Sequence, residues 1–118
     1  MHKEYIEITS AVANTINEAR KNGHSIVCVG TTVVRTLETV ADEQGNLKPF
    51  TGYSTLYIYP GYHFKIVDKF ITNFHGPNTS RIAMAAAFTG KDLLLKGYAE
   101  AIQRKYLFYE FGDTTLTI

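Results

Sequence analysis

One short apolar run constrains the fold of this chain more than any other feature. Ile26-Val27-Cys28-Val29 has no polar alternation and ends at Gly30, and an apolar pattern with helical spacing begins directly after it, at Val33. Strands that are buried on both faces have unbroken runs of this kind. Because a helical pattern also precedes the run, the sequence predicts an α/β fold in which this strand is central and covered on both faces.

Apolar residues at helical spacing predict three further helices. The first is capped by Ser10 and stops before Gly23. The second is capped by Asn78 or Thr79 and is broken at Gly90, after which the third begins. Side chains that accept hydrogen bonds at helix starts, and glycines at helix ends, are the usual signals of these boundaries.

Alternation and turn residues predict the remaining strands. The cleanest alternation is at Thr55–Tyr59, and Pro60-Gly61 then turns the chain. One or two more strands are expected between Phe64 and Phe74, and strand-like residues return from Tyr106 to Ile118. The stretch from Asp42 to Gly52 is rich in turn residues and is predicted to be a loop.

Size and composition narrow the class of protein. The chain has 118 residues, of which 45% are apolar and 19% charged, as in an ordinary globular domain. We therefore expect a single α/β domain with a layered sheet of mostly parallel or mixed strands flanked by helices. The net charge is only +1, so if nucleic acid binds, another part of the molecule must share that work.

The only cysteine, Cys28, lies inside the apolar run, which excludes an internal disulfide and favours a reducing compartment. A buried, inert thiol is expected rather than a nucleophile. No stretch is apolar for long enough to span a membrane, and Met1-His2-Lys3-Glu4 lacks the apolar core of a signal peptide. The sequence predicts a cytoplasmic protein that does not contact a membrane.

The first segment that could carry chemistry is Gly30-Thr31-Thr32, where the buried strand passes into a helix. Free N–H groups at a helix start attract anions, the threonines offer hydroxyls, and Arg35 could hold a carboxylate or phosphate. The alternative is structural: Thr31 or Thr32 only caps the helix, and Arg35 pairs with Glu38.

The second segment is Thr72 to Ser80, which follows an apolar strand and precedes a helix. His75 is its best-placed titratable group, since imidazole exchanges protons near neutral pH, and Asn73 lies beside it. A structural histidine is the alternative. No metal site is expected, because the other three histidines show no ligand spacing with His75.

The third segment is the aromatic turn Tyr59-Pro60-Gly61-Tyr62-His63-Phe64, which could stack on a base or on adenine, although core packing explains most of its rings as well. Two carboxylates, Asp68 and Asp113, also lie beside apolar segments. Asp113 is equally a candidate turn residue.

Together these segments resemble the S-adenosylmethionine:tRNA ribosyltransferase-isomerases of queuosine biosynthesis over almost the whole chain. GTTVVRTLE is similar to the family's GTTSVRTLE, YIYPGYHFKIVDKFITNFH to FIYPGYxFxxVDxLxTNFH, and YEFGDTTL to SYGDAML. The first four residues, MHKE, resemble an internal MHSE motif of the family. Residues 1–118 would then be the C-terminal part of the catalytic α/β domain, without the family's N-terminal region and inserted β-barrel domain.

The resemblance implies transfer and isomerisation of the ribosyl group of S-adenosylmethionine onto 7-aminomethyl-7-deazaguanine in tRNA. This reaction gives epoxyqueuosine, with S-adenosylmethionine as co-substrate and no prosthetic group. His75, Asn73 and Asp113 are the catalytic candidates. The substrate-binding candidates lie in the same three segments: Gly30, Thr31, Thr32, Arg35, Thr36, Tyr59, Gly61, Tyr62, Thr72 and Phe74.

The chain departs from the family after His75. The family's LPKSTLLMLVSAF is GPNTSRIAMAAAF here, so Gly76 replaces a leucine, Asn78 a lysine and Arg81 an apolar residue, and Phe111 replaces a tyrosine near the end. A non-catalytic nucleotide- or RNA-binding module, or a paralog with a changed substrate, is therefore the alternative function. The fragment alone is expected to be inactive, and exposed apolar surface could make it self-associate.

Overall fold

The computed structural model describes residues 3–76, 79–109 and 112–118. Within these residues helices and strands follow one another in the order expected of an α/β fold. Their bounds are β1 (Glu4–Ile8), α1 (Ser10–Lys21), β2 (Val27–Val29), α2 (Thr31–Val40), β3 (Phe50–Ser54), β4 (Lys69–Asn73), α3 (Ser80–Thr89), α4 (Lys91–Gln103) and β5 (Thr114–Thr117). None of these helices is both long enough and apolar enough to cross a membrane.

The larger sheet has the strand order β2-β4-β5. β2 and β4 are parallel, with Cys28 opposite Phe70, whereas β4 and β5 are antiparallel, with Ile71 opposite Leu116. Cys28 and Phe70 are each 1% exposed and belong to the main core. The predicted α/β class with a mixed sheet is confirmed.

The prediction that the strand at Ile26–Val29 is central and covered on both faces is wrong. In the described sheet β2 is an edge strand, and Val27 and Val29 are 47% and 64% exposed. Only Cys28, on the other face, is buried. The apolar run identified the strand correctly but did not reveal which of its faces the chain covers.

The smaller sheet pairs β1 with β3 in antiparallel fashion, and neither strand was predicted. The predicted strand at Thr55–Tyr59 is wrong, since this segment is not a strand and has no ladder partner among the described residues. Ile58 is fully buried while Tyr57 and Tyr59 are exposed, so the alternation shows which side chains are buried rather than strand pairing. The side chain of Arg35 supplies a hydrogen bond that a neighbouring strand would otherwise donate, because it binds the carbonyl of Leu56 (3.0 Å).

The helix boundaries follow the expected signals with one shift. Thr9, not Ser10, caps α1, because its hydroxyl accepts from the Val12 N–H (3.2 Å). Thr79 caps α3, as one of the two predicted alternatives, and its hydroxyl accepts from the Ile82 N–H (3.2 Å). The other candidate, Asn78, lies outside the described residues.

The C-terminal tail is less regular than predicted, since only Thr114–Thr117 forms a strand. Before that strand the chain folds back on itself: the Asp113 N–H donates to the Leu107 carbonyl (2.8 Å). This turn brings Phe108 against Phe74, with the two rings stacked at 4.8 Å. The tail is thereby placed next to the end of β4.

Candidate active site

A cavity of about 780 Å³ opens at the carboxyl ends of the two parallel strands. Gly30 and Thr31, which follow β2, line it together with Thr72, Asn73 and His75 at the end of β4. The fold thus brings together two of the three segments that the sequence singled out. Ligands of open α/β sheets bind at this edge, so the cavity is the candidate active site.

The rest of the lining comes from the start of α3 and from the tail. Thr79 and Arg81 belong to the first turn of α3 and its cap. The tail adds the residues Leu107, Phe108 and Tyr109. Arg81 is the only lysine or arginine among the described residues that line the cavity, which has an apolar wall beside a cationic one.

His75 is held at its ring and at its backbone. Its Nε2 lies 3.0 Å from the Thr72 hydroxyl, and its N–H donates to the Tyr98 hydroxyl (2.9 Å). Burial, and after it the charge of Arg81, lower the pKa of His75 from its usual 6.5. The ring is therefore neutral at pH 7 and able to accept a proton.

Asn73 makes no hydrogen bond to His75 among the described residues, contrary to one of its expected roles. Its side-chain nitrogen donates over 3.4 Å to the carbonyls of Gly112 and Asp113, so it ties β4 to the tail. Asn73 also lines the cavity, so it can contact a ligand there. Thr72, which is 7% exposed, is the residue that orients the imidazole.

Asp113 does not line the cavity. Its carboxylate accepts the Leu107 N–H at 2.7 Å and closes the turn that carries the apolar wall. This is the turn role that the sequence left open for Asp113 beside a catalytic one. The carboxylate therefore supports the apolar wall without lining the cavity.

At the start of α2 the cap is the backbone of Gly30, at φ 94°, without a side-chain hydrogen bond. The expectation that Thr31 or Thr32 caps this helix is therefore wrong. A helix start leaves N–H groups without intrahelical partners, and the first residue of α2, Thr31, lines the cavity. Thr31 lines the cavity, whereas Thr32 and Thr36 do not and instead bond to each other through the Thr36 hydroxyl and the Thr32 carbonyl (2.7 Å).

Arg35 lies outside the cavity and is 1% exposed. Its guanidinium donates to the carbonyls of Ser54 (2.9 Å) and Leu56 (3.0 Å) and to the carboxylate of Glu4 (2.7 Å). The sequence offered two roles, binding an anion or pairing with Glu38. The observed contacts match neither, since these donors hold the chain around β3.

Glu38 is fully buried and binds a different segment. Its carboxylate accepts from the N–H groups of Lys65 (2.9 Å), Ile66 (3.0 Å) and Val67 (3.1 Å). The Tyr62 hydroxyl donates to it as well, at 3.0 Å. Burial, followed by the charge of Glu38, raises the pKa of Tyr62, so this phenol is neutral at physiological pH.

The aromatic turn does not reach the cavity. Tyr59 is 57% exposed and lies 5.6 Å from Tyr57, while Gly61, at φ 104°, provides the backbone conformation of the turn. Tyr62 faces Glu38. Phe74 is buried beneath the cavity, where its ring packs on Phe108.

Comparison with known proteins shows the family of this chain. The model of a family described as queuosine biosynthesis protein matches residues 1–117. The chain belongs to this family.

Among curated relatives, the S-adenosylmethionine:tRNA ribosyltransferase-isomerases of Caldanaerobacter subterraneus subsp. tengcongensis and Thermoanaerobacter sp. are 52% and 49% identical over the whole chain. The chain spans 35% of the length of each. The crystal structure of S-adenosylmethionine tRNA ribosyltransferase from Thermotoga maritima superposes with a TM-score of 0.90 at 40% identity, over 97% of this chain and 40% of that one.

Within the queuosine biosynthesis family, two departures of this chain lie in the cavity lining. Gly76 replaces the leucine of the family motif, and the position where its Cβ would be is 3.2 Å from the Tyr109 ring. Arg81 replaces an apolar residue and adds a charge.

Sequence reasoning did not select Thr79, Arg81 or the tail residues Leu107–Tyr109 as site residues. A signal existed for Arg81, because it lies in the first turn of a helix that follows His75 closely. Leu107 and Phe108 had none, while Tyr109 begins the motif YEFGDTTL, which did not by itself place it in the cavity.

Proposed function

We propose that the chain is the C-terminal part of the catalytic domain of an S-adenosylmethionine:tRNA ribosyltransferase-isomerase. The enzyme would transfer and isomerise the ribosyl group of S-adenosylmethionine onto 7-aminomethyl-7-deazaguanine in tRNA. The observation that carries the proposal is the cavity around His75, at the strand ends of a chain 52% identical to a relative of that name. S-adenosylmethionine is a substrate here, and no prosthetic group is invoked.

His75 is the proposed acid/base residue. The reaction needs a proton to leave the ribosyl carbon next to the sulfonium, and a neutral imidazole inside the cavity suits this step. Burial and the charge of Arg81 lower the pKa of His75 and so favour the neutral form. Thr72 would fix the orientation of the ring, and Asn73 would bind a ribose hydroxyl.

The anionic end of the substrate would bind at Arg81 rather than at Arg35. Arg81 lines the cavity, and so does Thr31 in the first turn of α2, where a helix offers N–H groups and a favourable dipole to an anion. A methionine carboxylate suits this cationic side. The apolar wall of Leu107–Tyr109 suits a planar adenine.

The remaining partners follow from the proposed reaction. tRNA would be bound with the help of other parts of the enzyme, because the net charge of this chain is only +1. A cytoplasmic location fits a tRNA substrate. The aromatic turn with Tyr59, Gly61 and Tyr62 is outside the cavity, so contact with tRNA is the substrate-binding role that we keep for it.

The test is tRNA modification by the complete gene product that contains this sequence. Mass spectrometry of digested tRNA measures epoxyqueuosine, and we expect His75→Ala to lower its formation on the order of a hundredfold or more. His24→Ala is the matched control, because His24 is exposed and lies outside both the cavity lining and the aromatic turn. Near-normal turnover by His75→Ala would remove His75 from the mechanism.

Calorimetry distinguishes the enzyme from a binding module. An enzyme binds S-adenosylmethionine and modifies tRNA, and Arg81→Met weakens that binding. Binding without tRNA modification would favour the non-catalytic module, which is the relevant alternative because Gly76 and Arg81, two departures from the motif quoted above, line the cavity.

A further inference from the structure

The peptide unit between Phe74 and His75 is held from two sides. The Phe74 carbonyl accepts the Tyr109 N–H at 3.0 Å, and the His75 N–H donates to the Tyr98 hydroxyl at 2.9 Å. Tyr98 belongs to α4 and Tyr109 to the tail. Two parts of the chain that follow His75 therefore fix the backbone from which its imidazole projects.

We propose that Tyr98 is a positioning residue for His75, acting through the hydrogen bond between its hydroxyl and the His75 backbone N–H. The inference rests on the proposed function, in which His75 handles a proton. Tyr98 is absent from the cavity lining, so it would act only through His75.

The surroundings of Tyr98 separate the role of its hydroxyl from that of its ring. The ring is 9% exposed and packs edge-on against Phe74 (5.1 Å) and Phe108 (5.6 Å). A phenylalanine could make both ring contacts. Only the hydroxyl reaches the His75 N–H, and burial raises the pKa of Tyr98, so the group stays neutral and accepts this hydrogen bond.

Loss of the hydroxyl would loosen His75 at its backbone. The imidazole would keep one described contact, the 3.0 Å approach of Nε2 to the Thr72 hydroxyl, on a main chain anchored only through Phe74. A proton acceptor must stay within hydrogen-bonding distance of the reacting carbon, and small displacements reduce turnover steeply. Substrate binding at the other walls would change little.

The experiment compares Tyr98→Phe with Tyr106→Phe. Tyr106 belongs to the same aromatic cluster, with its ring 6.0 Å from Phe74, but it is 50% exposed and its hydroxyl makes no hydrogen bond within the described residues. In the complete gene product, we expect Tyr98→Phe to lower kcat on the order of 10- to 100-fold with KM for S-adenosylmethionine within about twofold. Tyr106→Phe should match the unaltered enzyme.

A second measurement does not depend on activity. Hydrogen exchange followed by NMR on the complete gene product should show a protected His75 amide, and Tyr98→Phe should speed its exchange by about tenfold, the factor expected for one lost hydrogen bond. Rapid exchange of this amide in the unaltered chain would overturn the inference even if the variant fails to fold.

The outcomes also separate this inference from the proposed function. Normal kcat in Tyr98→Phe with an inactive His75→Ala would overturn the positioning role alone. Normal kcat in His75→Ala would overturn the proposed function and, with it, the role of Tyr98. A lower melting temperature of Tyr98→Phe with unchanged kcat would show that its hydroxyl serves stability only.

Discussion

Replacing Glu38 with glutamine tests whether a buried carboxylate holds the segment before β4. Its Oε1 accepts from the Tyr62 hydroxyl and from the Lys65 N–H, and its Oε2 accepts from the N–H groups of Ile66 and Val67. Glutamine has nearly the same shape. It offers only one acceptor oxygen and carries no charge, so the variant changes the hydrogen bonding and leaves the volume almost unchanged.

The expected loss of stability follows from the hydrogen bonds of these four donors, of which the Lys65 N–H also reaches Oε2 (3.2 Å). Hydrogen bonds to an ionised group contribute about 1.5–3 kcal/mol, and neutral ones about 1 kcal/mol. If the oxygen of glutamine stays with Ile66 and Val67, those two bonds weaken. The amide nitrogen would then face the Lys65 N–H, a second donor, while Tyr62 can turn and accept. The free energy of unfolding should therefore fall by about 3 kcal/mol.

Urea unfolding of the 118-residue chain measures this loss. With a denaturant dependence of about 2 kcal/mol per molar, the midpoint should fall by about 1.5 M. Glu100→Gln is the control: its side chain is 56% exposed and pairs with Arg104 on the surface of α4, so its effect should stay within about 0.5 kcal/mol. Equal midpoints for the two variants would refute the role given to Glu38.

Four further predictions concern single groups. Arg81→Met should raise the pKa of His75 in an NMR titration of the ring, because burial and then the charge of Arg81 lower that pKa from 6.5. An unchanged pKa would show that the charge of Arg81 does not act on His75. A lowered pKa leaves the folded chain with fewer protons than the unfolded one, so stability should fall as the pH drops below 6.5, and unfolding of His75→Gln at each pH should lack this component. Burial raises the pKa of Cys28 to about 12, followed by smaller effects of nearby carboxylates, so a thiol reagent at pH 8 should label it only after unfolding. Gly97→Ala should stabilise α4 by about 1 kcal/mol in thermal unfolding, because no atom that could clash lies within 4 Å of the added Cβ.

The location of the cavity could be predicted because its first two walls depend on local pattern. Gly30 and His75 each follow an apolar run, and the carboxyl ends of parallel strands meet at one edge of a sheet. The third wall depends on contacts that no local pattern encodes. Leu107 reaches the cavity because Asp113 closes a turn, and Tyr109 because its N–H donates to the Phe74 carbonyl.

Alternation at Thr55–Tyr59 correctly indicated which side chains are buried, since Ile58 is in the core. It could not indicate what satisfies the backbone. A strand and an extended segment bound by a side chain have the same period of two. In this segment the N–H groups of Arg35 bind the backbone carbonyls, and this arginine lies about twenty positions earlier in the chain.

The spacing of Arg35 and Glu38 on α2 offered an ion pair between them. Instead, each side chain binds the backbone at one end of the segment between β3 and β4, and the two ends present groups of opposite polarity. Arg35 donates to the carbonyls of Ser54 and Leu56, whereas Glu38 accepts the N–H groups of residues 65–67. A segment without ladder partners is thus fixed at both ends by one helix. The same helix begins at the cavity, so its N-terminus faces the site while its middle holds the aromatic turn. Exchanging the two charges would set donors against donors and acceptors against acceptors, so their order along α2 is as necessary as their burial.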